Sequence, residues 1–303
     1  MYMKSHIFVT PPQKEYALLD SGDGMKLERY GTVKIARPDP QALWRKKLPE
    51  SAWKNVDAYF NIDKGESEKG KWVILRPGLP DKWNIEFGEL RMNIKLTPFK
   101  HTGLFPEQYN NWMWCRDVLE TYLKHNPDKK PSVLNLFGYT GGATISAAYK
   151  GAEVTHVDAS RSAITWANEN AKSSNLEDKP IRWILDDAFA FVRRELRRGK
   201  KYDAIIMDPP AFGRGAKGEI WKIEEHFLEL FESCLELLSD TPLFVVVNGY
   251  AAGYSAIAYE NNMSKLVDKH GGSLESGELT LEEEGPRPRL LPCGIVSRWK
   301  KFN

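Results

Sequence analysis

Cysteine is scarce in this chain, and so is any excess of charge. Cys115, Cys234 and Cys293 are the three cysteines in 303 residues, far apart and with no CxxC pair. That argues against a disulfide framework and against a cysteine zinc site. The six histidines form no HExxH motif or close pair, so no metal site is expected. Net charge is only +2, without the strong basic excess that marks many nucleic-acid-binding domains. No apolar run is long enough to span a bilayer. The opening MYMKSHIFVTPPQKE has none of the apolar stretch of a secretory signal. These absences leave a soluble, cytoplasmic globular protein as the expectation, with no membrane partner.

Tryptophan is plentiful. Several of the ten tryptophans stand beside cations, as in Trp44-Arg45-Lys46-Lys47, Trp53-Lys54, Lys71-Trp72 and Lys82-Trp83. Interleaved aromatics and cations can stack on bases and hold phosphates. They arise equally where tryptophan anchors a small β-domain and lysine faces water.

Texture divides the chain. Residues 1–84 carry short alternating runs separated by turns such as Ser21-Gly-Asp-Gly24, Arg37-Pro-Asp-Pro40 and Arg76-Pro-Gly-Leu-Pro80, the pattern of a small β-rich, Trp-rich domain. Gln41 to Trp53 reads as a short helical insertion. Residues 85–130 read as a β-hairpin, with Leu90, Met92, Ile94 and Leu96 on one face, followed by a helix from near Pro106 to Asn126-Pro127. From 131 to 303 strands and helices alternate. Five such units and two closing strands predict an α/β fold, a seven-stranded doubly wound Rossmann-like sheet. Ligands in such sheets bind beyond the carboxyl ends of the strands.

After the first of these strands comes Asn135-Leu-Phe-Gly-Tyr-Thr-Gly141, a glycine-rich turn leading into a helix. Its glycines permit close approach of a ligand, and the helix start offers free N–H groups. The spacing is neither G-x-G-x-x-G nor a P-loop. The second strand ends at Asp158, whose two oxygens suit the two hydroxyls of a ribose. The third ends in Asp186-Asp187, of which Asp187, followed by Ala188, is favoured to accept from an adenine amino group. Each acid alone reads equally as a loop acid or a helix N-cap.

The fourth strand ends in Asp208-Pro-Pro-Ala-Phe212. Two prolines fix the turn and leave carbonyls without competing N–H groups. Asp208 and the Pro209 carbonyl can accept from an exocyclic amine, and Phe212 can stack on a base turned out of its helix. Asp208, Pro209, Pro210 and Phe212 are therefore candidate reaction-site residues. Asn248, after the fifth strand, is a candidate for orienting the acceptor.

These motifs, with Val157-Asp-Ala-Ser-Arg161 and Trp166-Ala-Asn-Glu-Asn170, resemble the class I methyltransferases that modify 23S ribosomal RNA, a group with 5-methylcytosine and 7-methylguanine enzymes. The resemblance covers about residues 86–250. It implies S-adenosyl-L-methionine rather than NAD as cofactor, held by Asn135, Phe137, Gly138, Tyr139, Thr140, Gly141, Asp158, Ala159, Ser160, Asp187 and Ala188. Thr102 and Gln108 join this set because the family's corresponding segment lies near the cofactor. One departure matters. Cytosine C5 methylation needs a thiolate nucleophile, and neither the Asp208–Phe212 loop nor Val247-Asn-Gly-Tyr250 contains cysteine. A base nitrogen of RNA, ribosomal RNA first, is the expected acceptor. The alternative is a small-molecule methyltransferase whose N-terminal domain is a lid. A non-catalytic scaffold is disfavoured, since it has no need of Asp208. Of the basic clusters, Arg193–Lys201 reads as a solvated helix end, whereas Arg214 and Lys217 border the reaction loop. Pro286-Arg-Pro-Arg289 reads as a rigid loop shaping the substrate cleft.

Overall fold

The computed structural model of the chain describes residues 6–63, 69–214, 218, 220–250 and 253–302. It comprises two compact units. One contains Met1–Phe8, Asn110–Leu279 and Gly294–Asn303; the other contains Val9–Tyr109 and Thr280–Cys293. The sequence boundaries at 84 and 130 fall elsewhere: residues 85–109 and 280–293 belong with residues 9–84.

The first strand, β1 (His6–Thr10), precedes a five-stranded sheet in the N-terminal unit. Its strands β2 (Tyr16–Gly22), β3 (Met25–Tyr30), β4 (Val33–Pro38), β5 (Ala58–Ile62) and β6 (Gly70–Ile74) lie in sequence order. Asp23 (φ 50°) and Gly24 (φ 71°) form the two-residue turn between β2 and β3. Two successive positive φ angles are what a tight hairpin of right-handed twist requires. A separate hairpin pairs β7 (Lys82–Phe87) with β8 (Leu90–Lys95), and Leu90, Met92 and Ile94 are buried as the alternation predicts.

Two polar networks lie inside this unit. Glu28, fully buried, accepts from Tyr16 Oη (2.9 Å), Tyr30 Oη (3.0 Å) and Arg37 Nε (2.5 Å). Burial alone would raise the Glu28 pKa; the Arg37 and Lys26 charges outweigh it and hold the carboxyl at about 2. In the second network Arg289 donates to Asp20 (2.6 Å), to Glu283 (2.8 Å) and to the Ser21 carbonyl (2.6 Å). Arg289 thus clamps the 280–293 segment to β2.

The helix expected over 41–53 is confined to α1 (Glu50–Lys54). Asp20 explains the difference. Its carboxylate accepts from the amides of Lys47 (3.1 Å) and Leu48 (2.9 Å) and from Trp53 Nε1 (2.9 Å). Those bonds hold residues 47–48 outside a helix, and Pro49 then takes the N-cap position. Three of the tryptophans act as anchors. Trp44, Trp72 and Trp83 donate their indole N–H to the carbonyls of Ser21, Phe99 and Tyr30, at 3.0–3.1 Å.

The other unit begins with α2 (Tyr109–His125), whose first residue belongs to the N-terminal unit, and then alternates: β9 (Ser132–Leu136), α3 (Gly142–Tyr149), β10 (Glu153–Asp158), α4 (Arg161–Ser173), β11 (Ile181–Leu185), α5 (Ala188–Arg197) and β12 (Ala204–Met207). A short antiparallel pair, β13 (Phe212–Arg214) and β14 (Ile220–Lys222), interrupts the alternation. It resumes with α6 (Ile223–Glu236), β15 (Phe244–Gly249) and α7 (Ala256–His270), and closes on β16 (Ser273–Glu282) and β17 (Leu290–Lys300).

The large sheet has the order β1-β16-β17-β15-β12-β9-β10-β11. It is the expected methyltransferase sheet with one further strand, β1, at the edge. Gly277 of β16 makes that pairing possible, because a Cβ there would overlap the His6 backbone. Strands β15, β12, β9, β10 and β11 are parallel and β17 runs antiparallel to β15. Their buried Val, Ile and Leu runs reflect helices on both faces. The chain turns from one half of the sheet to the other between β9 and β12, the point where ligands bind in open α/β sheets. Among the described residues no helix is long and apolar enough to cross a membrane.

Candidate active site

Register brings the candidate segments to one edge of the sheet. Leu136 pairs with Val157 and with Met207, Met207 pairs with Val247, and Asp158 pairs with Leu185. The residues that follow, Phe137, Asp186 and Asp208, therefore leave neighbouring strand ends together with Asp158, while Asn248, expected after the fifth strand, is still inside β15 and pairs with Val296.

The turn after β9 is held in an unfavourable shape. Phe137 (φ 57°) and Tyr139 (φ 48°) adopt the left-handed region that side chains avoid, and Gly141 (φ 85°) follows. Such strain persists only where surroundings over-determine it. Here Gly138 N donates to Val157 O (3.1 Å), Tyr139 N to Asp158 Oδ2 (2.9 Å), and buried Asn170 Nδ2 to Thr140 O (2.8 Å). Two of the glycines also make room for neighbouring side chains. A Cβ on Gly138 would overlap the His156 imidazole, and one on Gly142 would overlap the Trp112 indole. Asn135 is also internal: its Nδ2 donates to Thr144 Oγ1 (2.8 Å), which meets His156 Nδ1 (2.8 Å). Burial lowers the His156 pKa to about 3, so the ring is neutral.

Asp158 is half-buried. Oδ2 accepts from Tyr139 N and Oδ1 from Ser160 N (2.8 Å). Burial raises its pKa against the pull of those two amides. Each oxygen can accept a further bond. Ala159 follows, and Ser160 caps α4 by accepting from Ala163 N (3.3 Å). Asp187 takes the N-cap role that was its alternative reading: Oδ1 accepts from Ala190 N (2.9 Å) just before Ala188 opens α5. Asp186 pairs with Arg194.

In the loop after β12, Asp208 is half-buried, Pro209 is buried and Pro210 is exposed. The Pro210 carbonyl accepts from Trp221 Nε1 at 2.6 Å. Trp221 also lies 5.2 Å from the Phe137 ring and 6.2 Å from Phe189, centre to centre. It joins the turn after β9 to the reaction loop, a link that sequence reasoning missed because β13 and β14 were not foreseen. Phe212 is 55% exposed, not part of the core. Asn248 is buried, and its Oδ1 accepts from Asn111 Nδ2 (2.8 Å). Asn111 in turn accepts from Arg298 (3.1 Å), so one end of Asn248 is tied to α2 and β17.

Thr102 and Gln108 lie in the N-terminal unit and are buried there; Thr102 Oγ1 donates to Tyr30 Oη (3.3 Å). The 193–201 cluster is engaged within the chain: Arg193 with Glu229 (2.8 Å), Arg198 with Glu195 (3.0 Å), and Lys201 with the Glu236 carbonyl (2.7 Å). Lys217 and the Arg214 side chain lie outside the described residues. Cys115 and Cys234 are buried and burial pushes both thiols up, Cys115 to about 12; Cys293 belongs to the N-terminal unit. Among the described residues no three His, Cys, Asp or Glu side chains group as a metal site.

Residues 117–233 match a family model described as Conserved hypothetical protein 95. Among curated proteins, the chain is 26% identical over 243 residues to ribosomal RNA large subunit methyltransferase K of Neisseria meningitidis, covering 78% of this chain and 66% of that protein. It is 32% identical over 165 residues to ribosomal RNA large subunit methyltransferase K/L of Shewanella baltica, covering 54% of this chain and 21% of that protein. The chain thus spans 66% or less of the length of these curated relatives. It is similar over 98% of its own length, and 93% of the other chain, to the crystal structure of the SAM-dependent methyltransferase from Agrobacterium tumefaciens, at 41% identity and a TM-score of 0.91. Shared sequence and shared fold extend over nearly the whole of both chains, and the chain belongs to the SAM-dependent methyltransferases.

Proposed function

We propose that the chain transfers a methyl group from S-adenosylmethionine to a base nitrogen of RNA, with ribosomal RNA as the first candidate. The observation that carries this reading is the convergence of Asp158, the strained 137–141 turn and the Asp208–Phe212 loop at adjoining strand ends beside the switch point.

The residues fit the cofactor by their chemistry. Asp158 is a half-buried carboxylate with accepting capacity left on both oxygens, suited to the two ribose hydroxyls. Ala159 and Ser160 flank it. Phe137 to Gly141 form the turn beside it, and Asn135 acts from below, through Thr144, by holding that turn's base. Asp187 keeps Oδ2 beyond its capping bond, and with Ala188 it suits the adenine edge. Thr102 and Gln108 remain proposed contacts on the family resemblance alone. When bound, S-adenosylmethionine supplies an electrophilic methyl group on its sulfonium.

The chain's own part is to present the acceptor. Asp208 and the Pro209 carbonyl accept from an amine or a ring N–H, which orients the nitrogen and offers its proton a destination. Pro210 is fixed by Trp221, so the loop holds its shape before the substrate arrives. Exposed Phe212 offers a face for a flipped base. Asn248 completes the edge of the acceptor site with the end that Asn111 does not hold. Thiol chemistry has no support here, because Cys115 and Cys234 are buried with raised pKa values and the two loops contain no cysteine. The 5-methylcytosine branch of the family is therefore the poorer fit, and methylation of a base nitrogen that carries a proton the better. The names of the curated relatives favour RNA as acceptor, and ribosomal RNA would place the work in the cytoplasm.

The net charge of +2 favours the second reading, a small-molecule acceptor with the N-terminal unit as lid. One experiment separates the two. Labelled S-adenosylmethionine is incubated with the protein and either total RNA or a metabolite extract from cells lacking it. Label in RNA supports the proposal; label in the extract alone replaces it with the second reading.

A further inference from the structure

Tyr259 of α7 is a polar group without a visible use. Its side chain is 3% exposed, yet its buried hydroxyl meets no hydrogen-bond partner among the described residues. Leaving a buried hydroxyl unsatisfied is destabilising. Phenylalanine would fill the same space without that cost. Most of the ring is used as an apolar body, edge-on to Phe227 at 5.1 Å, so packing explains the ring and not the oxygen.

The position of the oxygen is informative. A Cβ on Gly249 would come 2.7 Å from Tyr259 Oη, so the hydroxyl lies against the last residue of β15. Met207 pairs with Val247, which sets Asp208 beside Asn248 and one residue short of Gly249. Neighbouring strands are about 4.8 Å apart. Burial raises the Tyr259 pKa, and the nearby Asp208 and Tyr254 raise it further. A phenol held beside a carboxylate has one evident task, to donate a hydrogen bond to it.

We propose that Tyr259 is a positioning residue: its hydroxyl donates to the Asp208 carboxylate once the methyl acceptor is bound, fixing the carboxylate toward the acceptor nitrogen. This rests on the reading of Asp208 as the acceptor-orienting group. Gly249 is then required as glycine, because any side chain there would occupy the place of the hydroxyl.

The test compares wild type with Tyr259→Phe in the full chain, by thermal unfolding without ligand and by initial rates of methyl transfer to total RNA. In the free protein the hydroxyl has nothing to lose, so Tyr259→Phe keeps or raises the unfolding midpoint. In the reaction the variant loses about tenfold in kcat, about 1.4 kcal/mol, with the KM for S-adenosylmethionine unchanged. A lowered midpoint would show the hydroxyl already bonded in a structural role and would overturn the proposal. Unchanged kcat at an unchanged midpoint would overturn it equally. If the wild type itself methylates no RNA, the function proposed above has failed instead, and the unfolding comparison alone decides whether the hydroxyl is held in reserve.

Discussion

The backbone amide of Tyr139 donates to Asp158 Oδ2 at 2.9 Å, across the gap between the turn after β9 and the end of β10. The bond holds Tyr139 at φ 48° and aims the carboxylate at the same time. A strained turn and a half-buried acid thus stabilise one another. Asp158 keeps accepting capacity in a place where burial has already raised its pKa, so a ligand that brings hydroxyl donors relieves a cost present in the free protein.

Phe212 gives the most selective test of the reaction loop. Its ring is more than half exposed, so Phe212→Ala leaves stability within about 0.5 kcal/mol. Base stacking on an aromatic ring contributes about 1–3 kcal/mol. The kcat/KM for RNA is expected to fall by about tenfold or more, with the affinity for S-adenosylmethionine unchanged. Steady-state kinetics with a calorimetric titration would check this; unchanged kcat/KM would remove Phe212 from the site.

Gly138 serves the protein's own packing. Gly138→Ala drives a methyl group into the buried His156 ring and should cost about 1–3 kcal/mol. Adding His156→Ala to the same chain opens the space and should recover part of the loss. Urea unfolding of the two variants against wild type measures both effects. Equal stability of Gly138→Ala and wild type would mean that the ring moves aside freely.

His156 also makes stability depend on pH. Its folded pKa, about 3, lies below the unfolded value near 6.5. Between those values the unfolded chain binds the extra proton, so stability falls as pH drops through 6.5 and stops falling near 3. Integration of that difference gives a loss of about 2 kcal/mol between pH 7 and pH 5. Glu28 acts lower: its folded pKa of about 2 gives stability that is present above about 4.5 and lost as pH falls toward 2. Unfolding midpoints at pH 7 and pH 5 should differ less in His156→Gln than in wild type, and an identical difference would assign the acid sensitivity elsewhere.

Much of this was legible in the sequence where short-range pattern and burial coincide. The Val, Ile and Leu runs of β9, β12 and β15 announced a parallel sheet, and the acids that end β10 or follow β11 and β12 marked the edge where the candidate segments meet. What stayed hidden depended on contacts distant along the chain. Nothing local to residues 41–48 shows that Asp20 will take their amides. The glycines of the 138–142 turn carry no sign that His156 and Trp112 fill the space beside them. Trp221 joins Phe137 to Pro210 only after a hairpin too short to be read from alternation brings it back. The tryptophan-cation pairs were ambiguous on paper because an anchoring indole and a stacking indole share a neighbourhood; the indole N–H bonds show an anchoring role at Trp44, Trp72 and Trp83.

The central claim is that Asp158 holds the ribose of S-adenosylmethionine at the switch point. Isothermal titration of S-adenosylmethionine into wild type and into Asp158→Ala tests it most directly. Two hydrogen bonds to a charged acceptor contribute about 3 kcal/mol together, so the account predicts that the variant binds about a hundredfold more weakly or not at all. Equal affinity in the two proteins would contradict it.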